Sequence, residues 1–157
     1  MSYEKGIVVK KKLRREAGGA AAEFAIILPL LMLILFGIVE FGLLLYNKQV
    51  LTNASREGAR AGIVVQVPKA TDQDIRDIIA NYCNGHLVNF NGASATISAT
   101  DDSNIKIDRS AGNLFGDDLI VRVSYTYNFL VLSVVHKFDF DIFDPIELKA
   151  ITVMKHE

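Results

Sequence analysis

One cysteine, Cys83, is the only thiol in this 157-residue chain. An intrachain disulfide is therefore excluded. Two readings of Cys83 stay open: a buried thiol on a helix, or an intermolecular bridge in an oxidising compartment. The three histidines, His86, His136 and His156, are scattered without the close spacing of a zinc motif. There is no glycine-rich phosphate loop, no nucleophile elbow and no HExxH. Asp139, Asp141 and Asp144 lack the glycine and terminal glutamate of an EF-hand loop. The pairs Asp101–Asp102 and Asp117–Asp118 fall in turn-rich segments, where aspartate is favoured for its bonds to nearby backbone. These absences speak against an enzyme and leave no metal ligands, cofactor or small-molecule substrate to expect. A net charge of −1 leaves no surplus of basic charge for nucleic acid.

What the chain does have is one long apolar run. From residue 24 to residue 39 nothing is polar, and apart from Glu40 the run reaches Tyr46. As a helix those residues extend about 34 Å, enough to cross the hydrocarbon core of a bilayer. Residues 1–18 carry six basic and two acidic groups, about +4, which leaves −5 for the rest. By the positive-inside rule the N-terminus stays cytoplasmic and everything after Tyr46 is exported. A secretory signal peptide would have a shorter apolar region with small residues after it. Here the small residues Ala17, Gly18, Gly19, Ala20, Ala21 and Ala22 come first, so a cut among them leaves the helix on the mature chain.

Gly18, then four residues, then Glu23 and an aromatic before a long apolar helix resembles the processing site of type IV prepilins. Together with Pro29, Glu40-Phe41-Gly42 and the run Asn53-Ala54-Ser55-Arg56-Glu57-Gly58-Ala59-Arg60, it looks like the TadE-like family of minor pseudopilins from tight-adherence (Tad) pilus systems. The resemblance is close over residues 14–65. Phe24 stands where the major pilins usually carry tyrosine, which places the chain with the minor components. The resemblance implies cleavage by a prepilin peptidase between Gly18 and Gly19, and other pilins and pseudopilins as partners in the cytoplasmic (inner) membrane. It also implies that Glu23, with Phe24 beside it, pairs with the free Gly19 amine of a neighbouring subunit. The plainer readings are a hinge at the two glycines and an anion at Glu23 favoured by the dipole of the first helical turn. The function implied is assembly or priming of a Tad-type adhesion pilus, with entry into the fibre left open. The alternative is a permanently anchored, uncleaved scaffold of an exported secretion complex.

The rest of the chain is read from its periodicity. Pro29 removes a backbone hydrogen bond and should kink the membrane helix. Glu40, about 24 Å along the helix from Phe24, is either a second contact between subunits or a residue at headgroup level reaching water. The helix should continue past Tyr46. Leu51, Ser55, Gly58, Gly62 and Val65 then form a stripe of mostly small residues that invites close packing, expected to come from a sheet. Thr71 caps a second helix with apolar face Ile75, Ile78, Ile79 and Tyr82, ending at Asn84-Gly85. From Ala93 the period becomes two, through Ala95, Ile97 and Ala99. Further strands are expected at residues 105–107, 119–129, 138–142 and 146–154. The expected fold is α+β and pilin-like: a leader over residues 1–18, a transmembrane helix over 19–46, its continuation over 47–66, and an exported domain over 67–157 with a short helix and an antiparallel sheet.

Overall fold

The computed structural model describes residues 4–64, 68–88, 96–100, 102–109, 112, 114–129 and 145–156, with side chains from residue 18 onward. In chain order the elements are α1 (Glu4–Ile63), α2 (Asp72–His86), β1 (Ile105–Asp108), β2 (Asp118–Tyr127) and β3 (Ile146–Lys155). The fold is α+β, as expected. The chain divides into two compact units, Met1–Val39 and Glu40–Glu157.

The first unit is the N-terminal part of α1, helical from Glu4 and continuing through Pro29. Its large side chains point outward on every side: Phe24, Ile26, Leu30, Leu33, Ile34 and Ile38 are all exposed. Between Gly18 and Ile63 the helix holds an apolar stretch of mean hydropathy 2.7, only 6% of it buried. The core helix of a globular protein has the same composition but is covered by its own chain. This helix is long and apolar enough to cross a membrane, and its large side chains are exposed.

In the second unit α1 changes character. Glu40, Asn47, Val50, Leu51, Ala54, Ser55 and Ala59 are buried at three- and four-residue steps, while Arg56, Glu57 and Arg60 face solvent. Gly58 and Gly62 lie on the buried stripe. A Cβ on Gly58 would meet Ile79 at 2.5 Å, and one on Gly62 would meet Leu119 at 2.5 Å and Ile75 at 2.7 Å. The small residues thus admit α2 as much as the sheet. That corrects the expectation of a sheet alone, because Ile75 and Ile79 of α2 reach the helix surface first.

Thr71 caps α2. Its hydroxyl accepts from the Asp74 backbone N–H, and the Asp74 carboxylate accepts from the Thr71 N–H at 2.8 Å. This reciprocal box satisfies donors that the helix itself leaves open. Its bonds from Thr71 hold the Asp74 carboxyl below the usual carboxylate range. The helix runs past the expected stop at Asn84-Gly85 and ends at His86, with Leu87 as C-cap. Asn84 uses its side chain elsewhere: it donates to the Ile97 carbonyl at 3.1 Å and accepts from the Ile97 N–H at 3.0 Å. Residues 96–98 are held by this clamp and are not a strand. Ile97 is nonetheless buried, as its alternation required.

The sheet has the order β1-β2-β3, antiparallel throughout. Ile105 pairs with Val123, Val123 with Ala150, and Tyr125 with Leu148. One face buries Ile105, Leu119, Val121, Val123, Tyr125, Tyr127, Leu148 and Ala150 in the same core as Leu51, Ile75 and Ile79. The other face carries Lys106, Arg122, Thr126, Glu147 and Lys149, all exposed. The expected strand at 138–142, with His136, Asp139, Asp141 and Asp144, lies outside the described residues.

Candidate functional site

The residues singled out between Gly18 and Phe24 of α1 carry, among the described residues, no contacts that assign them a role. Gly18, Gly19, Glu23 and Phe24 are exposed, and both glycines have open space where a Cβ would stand. They are helical, not extended, because the alanines on either side are strong helix formers and α1 passes through them. A pair of adjacent glycines, each costing about 1 kcal/mol in a helix, is still the easiest point at which to unwind it.

Glu40 is different. It is 2% exposed, and its Oε1 accepts a hydrogen bond of 2.9 Å from the Tyr127 hydroxyl at the end of β2. Of the reading as a headgroup-level residue reaching water, the reach to water is corrected: inside the subunit the carboxylate turns toward β2. Phe129 packs edge-on against Tyr127 with ring centroids 5.6 Å apart. Burial, then the bond to Glu40, raises the Tyr127 hydroxyl well above its ordinary pKa, so it remains a donor.

Two further polar groups fasten α1 to the domain. Asn47 is fully buried; it donates to the Val88 carbonyl at 2.7 Å and accepts from the Val88 N–H at 3.0 Å. Its amide thus completes the hydrogen bonding of a backbone segment that no strand pairs. Two turns further on, Ser55 and Thr152 of β3 share a hydrogen bond of 2.7 Å. Glu40, Asn47 and Ser55 recur along the buried stripe and bond successively to β2, to the segment after α2, and to β3. Sequence reasoning missed Tyr127, Asn47 and Thr152 as partners. The only available signal was a polar residue placed on an otherwise small and apolar stripe.

Cys83 is fully buried on the inner face of α2, and burial pushes its thiol up to about 12. Of its two readings, the buried thiol is the one found within the subunit. Among the described residues no group of three or more histidine, cysteine, aspartate or glutamate side chains is placed to hold a metal. A depression on the outer sheet face is lined by Ser124, Lys106, Arg122, Glu147 and Lys149 among others, and the Ser124 hydroxyl donates to the Ser103 carbonyl at 3.1 Å. Arg122 there faces Asp108 at 3.6 Å, and Lys149 faces Glu147 at 2.8 Å. Such arrangements suit a solvated face.

Comparison with known proteins agrees with where this architecture is most specific. The family model described as TadE-like protein matches residues 18–60, from the glycine pair through the apolar run to the last turn of the buried stripe. Neither the curated proteins nor the solved structures compared with the chain gave a match.

Proposed function

We propose, from a chain that is TadE-like over residues 18–60, that this protein is a minor pseudopilin required to assemble or prime a Tad-type adhesion pilus. The observation that carries this reading is the position of that segment. It opens at Gly18, places Glu23 fifth from a cut after Gly18, and continues into an apolar helix whose large side chains are exposed. A prepilin peptidase removes the basic leader on the cytoplasmic side, and the domain after Tyr46 lies outside the inner membrane. The helix anchors the subunit until extraction and then packs with other pilin helices, bending at Pro29. Glu23 pairs there with the Gly19 amine of a neighbour. The protein works by association and not by turnover.

A second reading is an uncleaved scaffold: leader and span form one unbroken helix from Glu4, as they also would in a precursor before cleavage. Leader removal separates the two. The mass of the chain from native membranes should correspond to a start at Gly19; an intact N-terminus would establish the scaffold.

Glu23→Gln tests the pairing. If the carboxylate serves only the dipole of the first turn that a cut after Gly18 creates, the change costs under about 1 kcal/mol and piliation is normal. If it pairs with an amine at low dielectric, loss of the charge costs about 3–5 kcal/mol and blocks assembly. The expected outcome is normal amounts of processed protein with little or no pilus. Wild-type piliation would remove the pairing mechanism.

A further inference from the structure

Glu40 lies inside the apolar run, yet the domain already covers it. A hydrocarbon core of about 30 Å takes up roughly 20 helical residues, which from Phe24 brings its outer edge to about residue 43. At that level a carboxylate facing lipid is unfavourable. Here it is 2% exposed and bonded to Tyr127, and Leu43 and Leu44 are partly buried against the core. Elsewhere on these same turns Phe41, Leu45 and Tyr46 are 61%, 52% and 46% exposed. They belong to the apolar run of the sequence, which has no polar residue between Val39 and Asn47 except Glu40 itself. From Glu40 to Tyr46 the helix rises about 9 Å and so straddles that outer edge.

We propose that the near end of the exported domain is seated in the outer lipid interface: Phe41, Leu45 and Tyr46 contact lipid while Tyr127 shields Glu40 from it. The partner is the boundary between headgroups and acyl chains. Its fit rests on the place of these residues in the same apolar run of sequence as the span, and so on the reading of α1 as a membrane helix. Tyr46, apolar with a polar tip, suits that depth, and the first exposed polar side chain beyond it, Gln49, marks the return to water. The domain is thereby held against the membrane and not displayed on a stalk.

The chain contains no tryptophan, so single substitutions report depth without background. The full chain carrying Leu30→Trp, Phe41→Trp, Tyr46→Trp or Arg56→Trp is reconstituted in phosphatidylcholine–phosphatidylglycerol vesicles. Lipids brominated either near the headgroup or deep in the chain serve as quenchers, with iodide as the aqueous quencher. Unreactive Cys83 confirms that each variant is folded. Leu30→Trp should be quenched best by deep bromines. Phe41→Trp and Tyr46→Trp should be quenched by shallow bromines, roughly twofold or more above Arg56→Trp, which iodide alone should reach. Iodide quenching of Phe41→Trp and Tyr46→Trp without lipid quenching would mean that the domain stands clear of the bilayer. Screening from both quenchers would mean that a second copy covers the patch. Either result overturns the seating while leaving the span intact. Failure of lipid to quench Leu30→Trp would overturn the span and the seating with it.

Discussion

Between Phe24 and Val39 α1 turns large apolar side chains to every side and none is buried, whereas from Glu40 to Ile63 the same helix buries one narrow stripe. The two stretches solve different solvation problems. The first has leucine, isoleucine and phenylalanine all round, the pattern of a helix whose surroundings are apolar on every side. The second places alanine, serine and glycine where other elements approach and charged residues where they do not. Continuity of the backbone therefore says nothing about continuity of environment. Residue size along the buried stripe marks the change, and Glu40 marks its position.

The largest effect should come from breaking the core that the second stretch joins. Tyr125 is 6% exposed and desolvated enough that its hydroxyl pKa is raised. Tyr125→Asp places a charge among Val123, Tyr127 and Leu148 and should cost about 4 kcal/mol or more, enough to unfold the domain. Thr126→Asp, on the exposed face, should stay within roughly 1 kcal/mol even with Glu147 opposite. Denaturation of the full chain in detergent, followed by the reactivity of Cys83, measures both. The thiol is buried and weakly acidic when folded, so it reports opening of the domain and not of the span. Equal stability of the two variants would mean that the assigned faces are wrong.

A subtler break uses glycines of one helix against each other. A Cβ on Gly42 would have nothing within 4 Å, whereas one on Gly58 would have Ile79 at 2.5 Å. Gly42→Ala should be neutral or stabilise α1 by up to about 1 kcal/mol through helix propensity. Gly58→Ala must push the Ile79 side chain aside and should cost about 1–3 kcal/mol, with Gly58→Val costing more. Chemical denaturation monitored as above decides it. Similar values at the two positions would remove the close approach of α2 as the reason for the small-residue stripe.

Much of this architecture was legible because it is local. The stripe through Leu51, Ser55, Gly58 and Gly62, the Thr71 cap and the alternation of β2 each repeat within a few residues, and each holds in the structure. What was not legible depends on partners far along the chain. Glu40 and Tyr127 are 87 residues apart, and Asn47 and Val88 are 41 apart, so no window of sequence contains either pair. Of the strand expected from Ala93, residues 93–95 lie outside the described residues, and residues 96–100 are not a strand for the same reason. Alternation correctly marked Ile97 as buried, but Asn84 bonds its backbone before a neighbouring strand can. The end of α2 was misplaced because Asn84-Gly85 resembles a stop signal, while the asparagine serves that clamp. The residues proposed for processing and assembly, Gly18, Gly19 and Glu23, stand exposed. Their signal is resemblance to a family, not packing that could be reasoned from one chain.

The smallest effect separates the two regions by pH. His156 follows β3 and is 3% exposed; its backbone N–H donates to the Asp117 carbonyl at 2.9 Å, but its ring Nε2 has no hydrogen-bond partner among the described residues. Burial lowers its pKa from the ordinary 6.5, and the nearby cations Lys69 and Arg109 lower it further against the opposing pull of Asp117. Between that lowered value and 6.5 the unfolded chain holds a proton that the folded chain does not, so stability rises with pH across this window. The contribution is complete above 6.5 and is lost as the pH falls below 6.5 toward the folded value. Denaturation midpoints of the full chain in detergent, taken on either side of 6.5, should therefore drop on the acid side. His156→Gln should flatten that particular slope, because glutamine does not titrate. The helical signal of the span, with no histidine between Gly18 and Ile63, should not change over the same range. A slope that survives His156→Gln would assign the acid sensitivity to other groups and leave His156 as a neutral part of the core at every pH.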